Sequence, residues 1–154
     1  NGYYAIAESE KIVKNGTTYY VLNVSGDSAY VLAEAGQVAA IMEKQDKQLS
    51  RIKTSVKKIT IQLKITETKN HKLKVIWKKS KGYKMDSYQV YRSVKKGKFA
   101  KKPFFIAKGN KLSYINTKDL KKGKRYYYKV RGARNVNGEI VYSKWSNVVS
   151  ETAH

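Results

Sequence analysis

Two different rhythms of apolar positions divide the chain. From about residue 28 to 50 the positions Val31, Ala35, Val38, Met42, Gln45, Leu49 and Ile52 follow one another at alternating spacings of four and three, the stripe of a helix. Asp27 or Ser28 stands where an N-cap belongs. Gly36 inside the stripe costs a helix about 1 kcal/mol, which keeps a rival hairpin of "YVLA" with "VAAIME" in view. Ahead of the stripe, "EKIVKNGTTYYVLNV" sets Asn15-Gly16 between β-branched and aromatic flanks, the chemistry of a tight two-residue turn. It predicts a hairpin over about 3–25.

After residue 55 the period becomes two. In "KKITIQLKIT" Ile59, Ile61, Leu63 and Ile65 share one face, and Thr60, Gln62, Lys64 and Thr66 share the other. "KLKVIWKK" aligns Leu73, Val75 and Trp77, and "SYQVYRS" aligns Tyr88 and Val90. "KPFFIAKG", "LSYIN", "KRYYYKVRG" and "IVYSKWSNVVSET" follow, separated by the turn signals "KKGK", "GNK", "KDLKKG" and "NVNG". About seven short strands at such spacings predict an antiparallel sandwich. The expected organisation is a mainly β chain: a small α+β region over 1–54 (hairpin plus helix), then a β-sandwich over 55–154.

Composition agrees with that pattern. Thirteen Tyr against three Phe and one Pro, with 41% hydrophobic residues, suits a β-rich fold with a real core. There are no Cys, which excludes disulfides, zinc-thiolate sites and thiol nucleophiles. No apolar run reaches the roughly 18 residues of a membrane span, and no charged-then-apolar leader opens the sequence. The start "NGYYAIA" reads as a cut made inside a longer protein or just after a leader, and His154 as the residue of a tag.

Charge sharpens the division. Residues 1–47 hold four of the 33 Lys and Arg and six of the 11 acids, so residues 48–154 hold 29 cations against 5 acids. A field of that size attracts polyanions of many kinds and fades with salt. The lysines are spread over strands and turns on every side, as on a solubilising surface with guarded sheet edges.

The second region resembles a fibronectin type III domain, in particular the lysine-rich variety of large secreted and surface proteins of Gram-positive bacteria. Trp77 in the second strand carries the resemblance, with Tyr88, Val90, Tyr91 and Arg92 in the third, and Leu120 six residues before Tyr126. In that family the Leu and Tyr form a tyrosine corner, the Tyr hydroxyl bonding back to backbone upstream. Here Lys122-Gly123 replaces the usual Pro, and "VKKGKFAKKPFFIAKGNK" is long and basic. The resemblance implies that the third and sixth strands are antiparallel neighbours. Tyr91 and Tyr127 would then share an outer face with Lys129 and Arg131, while Tyr126 and Tyr128 face the core. No family is recognised in residues 1–54.

Candidate chemistry is sparse. His71 and His154 have no Ser, Asp or Glu at a spacing that would build a nucleophile and base, so no catalytic residue is assigned. Asp27 and Asp86 are isolated acids, better read as cap and turn residues than as metal ligands; no metal or cofactor is expected. Asn15 and Asn23 fit the N-glycosylation pattern, but the turn explains Asn15. "KGKRYYYKV" partly matches an RNA-binding strand and lacks its second Gly-aromatic step, so nucleic acid is not an expected partner. What remains is Tyr91, Tyr127, Lys129 and Arg131 as a candidate face for an anionic wall polymer, a glycan or a host surface protein, with cross-strand stabilisation as the plainer role for the same rings. The expected protein is a non-catalytic spacer and adhesion or binding module, extracellular or wall-associated. The alternatives are a dedicated polyanion or glycan binder, a nucleic-acid binder, and an accessory domain of an upstream enzyme.

Overall fold

A computed structural model describes residues 4–24 and 30–154. The described chain is mainly β, with antiparallel sheets and one helix, and it divides into two compact units, Asn1–Ile52 and Lys53–His154.

In the first unit β1 (Tyr4–Lys14), β2 (Thr17–Val24) and β3 (Tyr30–Glu34) form an antiparallel sheet in that order. Asn15 and Gly16 turn β1 into β2 with φ of 50° and 76°, the left-handed pair that a two-residue turn requires. Helix α1 follows as Ala35–Lys58.

Two expectations are corrected here. The helix was expected over about 28–50, yet Tyr30–Glu34 is a strand whose Val31 pairs with Leu22 and Ala33 with Tyr20. Val31 fell on the helical spacing by coincidence, and its β-branched and aromatic neighbours pair with β2 instead. The expected caps Asp27 and Ser28 lie outside the described residues. At the actual start, Gln37 Oε1 accepts the Glu34 N–H at 3.1 Å, half of a capping box. Gly36 thus sits in the first turn, not mid-helix.

The far end is corrected as well. The helix runs to Lys58 because the stripe continues past Leu49 and Ile52 to Val56, which is fully buried. Lys57 and Lys58 in its last turn suit the negative end of the helix dipole. Ile59 therefore lies between the helix and the first strand of the next sheet, its N–H donating to the Val56 carbonyl at 3.1 Å and its carbonyl accepting the Lys144 N–H at 2.9 Å. Within the first unit Val38 is buried with Tyr20, Ile41 and Met42 packed against it.

The second unit sets a sheet of β4 (Ile61–Glu67), β5 (Leu73–Lys79) and β8 (Ser113–Asn116) beside a five-stranded sheet. That sheet has the order β10 (Glu139–Tyr142), β9 (Arg125–Val136), β6 (Ser87–Ser93), β7 (Phe105–Lys108), with β11 (Val149–Thr152) also on β9. Inward residues of both sheets form the core: Leu63, Leu73, Val75 and Trp77 from one, Tyr88, Val90, Tyr128 and Val130 from the other. The Trp77 and Tyr88 rings meet at 5.5 Å, and Asn116 Nδ2 donates to the Tyr128 hydroxyl at 2.7 Å between the sheets.

Eight strands are present in this unit where seven were expected, because the last predicted strand is interrupted over 143–148. Ser143 and Ser146 explain the break. The Ser143 N–H donates to the Gly132 carbonyl while its Oγ accepts the Gly132 N–H, and Ser146 does the same with Val130. Two side chains thus complete a ladder that the backbone alone leaves open, and Trp145 between them is turned out over β9.

At the other end of β9 the Tyr126 hydroxyl accepts the Lys121 N–H at 2.7 Å and donates to the Asp119 carbonyl at 3.0 Å. The turn before it places Gly123 at φ 80°. Tyr126 and Tyr128 are buried and Tyr127 is half-exposed, the alternation of a strand with one face in the core.

Candidate functional site: the outer face of the five-stranded sheet

Register puts the four candidate residues on one face. Across β6 and β9 Gln89 opposes Arg131, Tyr91 opposes Lys129 and Ser93 opposes Tyr127. Directly opposed residues share a face, so Tyr127 lies one diagonal step from Tyr91.

The structure brings three of them together and uses them up. Lys129 Nζ lies 3.9 Å from the centre of the Trp145 ring, 4.7 Å from Phe99 and 5.7 Å from Tyr91. The Arg131 guanidinium lies 3.6 Å from Tyr142 and 4.5 Å from Trp145. Tyr91 meets Trp145 edge-on at 5.0 Å. Each cation is thus set between aromatic rings, contacts worth about 0.5–1 kcal/mol apiece at a partly open site. Arg131 Nε also donates to Gln89 Oε1 at 2.8 Å. Burial, and then Arg131 beside it, lowers the pKa of Lys129 below that of an ordinary lysine.

Tyr91 was expected on the open surface and is 4% exposed. Trp145 meets it edge-on, and Lys129 Nζ and the Arg131 guanidinium each lie 5.7 Å from its ring centre. Its ring has no free face for a ligand.

Tyr127 differs. Ser93 flanks it on β6 and Ser150 on β11, two small residues that leave its ring in an open trough. The groove there holds about 490 Å³ and is lined by Lys96, Arg125, Tyr127, Val148 and Ser150. Arg125 Nη1 donates to Ser150 Oγ at 2.9 Å, which fixes the guanidinium over the strand pair. Lys96 comes from the turn 95–98, where Lys98 N–H donates to the Lys95 carbonyl at 3.2 Å and Gly97 takes φ 74°. Ser93 pins that turn, accepting the Lys95 N–H and donating toward the Lys95 and Lys98 carbonyls.

Sequence reading missed Trp145, Phe99 and Tyr142 as partners, and Lys96 and Arg125 as neighbours of Tyr127. No local spacing in "YSKWSN" announces this: Trp145 reaches the face because Ser143 and Ser146 on either side of it bond the Gly132 and Val130 backbone of β9.

Other candidates resolve into local structure. Asp86 Oδ2 accepts the Asn135 N–H at 2.6 Å. His71 and His154 both bond Glu67, at 2.9 and 3.2 Å, and the His71 bond is the main cause of the lowered Glu67 pKa. Among the described residues no group of three or more His, Cys, Asp and Glu is placed to hold a metal ion, and no helix is long and apolar enough to cross a membrane.

The site and fold therefore define a mainly β protein whose second unit presents a cation–aromatic ladder and a separate basic groove. No protein-family model and no curated protein matches the chain. Among solved structures it is similar to pectate lyase PelI from Erwinia chrysanthemi in complex with tetragalacturonic acid, at 15% identity and a TM-score of 0.44. A second structure of the same lyase gives 17% identity and 0.45. In both cases 59% of this chain is covered and 27% of the other, so the chain spans about a quarter of the lyase's length.

Proposed function

We propose that residues 53–154 form a fibronectin type III-type module, and that the chain is a non-catalytic spacer and binding unit of a secreted or wall-associated protein, held by charge against anionic polymers of a cell surface. The module reading is supported by the strand order, three strands on one sheet and the remainder on the other, with β10 and β11 as two halves of a seventh strand. It is supported also by the Tyr126 hydroxyl closing back on Asp119 and Lys121.

The binding reading rests chiefly on one observation. Residues 53–154 contain 28 Lys and Arg, and among the described residues of that unit only Lys53 lies within ion-pair distance of a carboxylate, Glu139 at 2.5 Å. The remaining cations are not neutralised internally. A surface charged in this way attracts a polyanion from a distance and costs the isolated domain self-repulsion.

Co-sedimentation with isolated Gram-positive walls tests the reading. The protein should pellet with intact walls and stay in the supernatant with walls stripped of anionic polymer. Equal pelleting with both would refute charge as the cause of retention.

A further inference from the structure

The groove beside Tyr127 combines three features that rarely coincide on a merely solubilising surface. The first is an aromatic floor that is unoccupied: Tyr127 is half-buried, and among the described residues its ring meets no aromatic or cationic partner. This contrasts with Tyr91, Phe99, Tyr142 and Trp145, each of which holds a cation on its face. The second is pre-positioned charge. Arg125 is held by Ser150 Oγ, the one partner its guanidinium has among the described residues, and Lys96 rides on a turn fixed by Ser93 and Gly97. The third is that, among the described residues, no carboxylate lines the groove.

A flat ring flanked by one anchored guanidinium and a lysine carried on a pinned turn matches one unit of an acidic saccharide. A sugar ring has an apolar face of C–H groups that lies against an aromatic plane. Its carboxylate or sulfate needs donors at the rim, and a guanidinium with free N–H groups is suited to such an anion. A bare phosphate or sulfate would use the cations and leave the ring without a role.

We propose that this groove is a saccharide subsite, in which the Tyr127 ring takes the apolar face of a sugar while Arg125 and Lys96 take its carboxylate or sulfate. The proposal deepens the polymer-retention reading and is separable from it. Diffuse charge can hold the protein to a wall with this groove empty, and the groove can bind an oligosaccharide whatever the native surface.

The test is an NMR and calorimetric titration of the full chain with a chondroitin sulfate tetrasaccharide, with chitotetraose as neutral control and inorganic sulfate as charge control. The tetrasaccharide should shift the amides of Lys96, Arg125, Tyr127 and Ser150, and both controls should bind at least about ten-fold more weakly, since each supplies one half of the recognition. K96Q and R125Q should each weaken binding about five-fold, as loss of one partly exposed charge contact does. K74Q, on the outer face of the other sheet, should change it less than about two-fold because a charge that far away is screened. Y127S should abolish selectivity over inorganic sulfate. Lys96 lies in an exposed turn, so K96Q tests the groove even if Y127S fails to fold. Equal affinity for sulfate and the tetrasaccharide, or equal weakening by K96Q and K74Q, would overturn the proposal. Loss of wall retention with tetrasaccharide binding intact would remove the retention reading and leave the subsite standing.

Discussion

The three consecutive tyrosines of β9 offer a graded test of the fold, because one chemical change meets three environments. Replacing each with Phe removes a hydroxyl and keeps the ring. At Tyr126 the hydroxyl makes two backbone bonds, to Lys121 N at 2.7 Å and to Asp119 O at 3.0 Å, both near the surface, where water can replace it. Y126F should therefore cost about 1–2 kcal/mol, the net worth of two ordinary hydrogen bonds. At Tyr128 the partner is the Asn116 amide, and both residues are 0% exposed. Y128F strands a buried donor and should cost about 1–3 kcal/mol. At Tyr127 the hydroxyl stands in the open groove and Y127F should be neutral within about 0.5 kcal/mol. Urea unfolding followed by Trp fluorescence reads the second unit directly, since Trp77 and Trp145 both lie in it. With a slope of about 1–3 kcal/mol/M, the midpoint should fall by roughly 0.5–1 M for Y126F, by as much or more for Y128F, and hardly at all for Y127F. A loss at Tyr127 equal to that at Tyr126 would refute the inward–outward assignment on which the site rests.

Three further outcomes follow from the same geometry. A Cβ on Gly109 would stand 1.9 Å from the Met85 carbonyl oxygen, whereas one on Gly132 would meet the flexible Met85 side chain at 2.5 Å. G109A should cost at least about 3 kcal/mol and G132A about 1–2, as overpacking against rigid and yielding neighbours does; the reverse order in urea midpoints would contradict the packing. Burial raises the pKa of Tyr128 above 10.0, so the unfolded state loses its proton first and stability falls as pH rises past that value. Between pH 9 and 11 the wild type should lose more stability than Y128F, and equal losses would exclude a buried protonated phenol. Sodium chloride raised from 10 to 300 mM should raise the thermal midpoint, because screening relieves repulsion among the unpaired cations. A midpoint that falls with salt would mean that attractive pairs dominate.

Much of this was legible in the sequence where a local rule governs. Asn15-Gly16 specifies its own turn, and the alternation in "KRYYYKV" assigns Tyr126 and Tyr128 to the core and Tyr127 to the outside. The helix ends were not legible, because Val31 and Ile59 satisfy helical and strand spacings alike. Pairing with β2 decides the first and burial of Val56 the second. Tyr91 was misread for a different reason. Alternation states which face a side chain leaves by, and Tyr91 does leave by the outer face. What covers it is Trp145, a residue remote in sequence and held there by Ser143 and Ser146. The candidate site moved in consequence. Lys129 and Arg131 belong to a ladder that braces the sheet, and Tyr127 is joined by Arg125 and Lys96, which only the pairing of β11 and the turn at 95–98 could bring to it.

The proposed retention of this module on an anionic surface rests on its unpaired positive charge. Its most direct test is the affinity of the full chain for intact walls measured from 50 to 500 mM sodium chloride. A steep fall in affinity with salt, across the range in which the Debye length shrinks from roughly 14 to 4 Å, is the predicted result. Affinity that is flat over that range would mean that charge does not hold the module there.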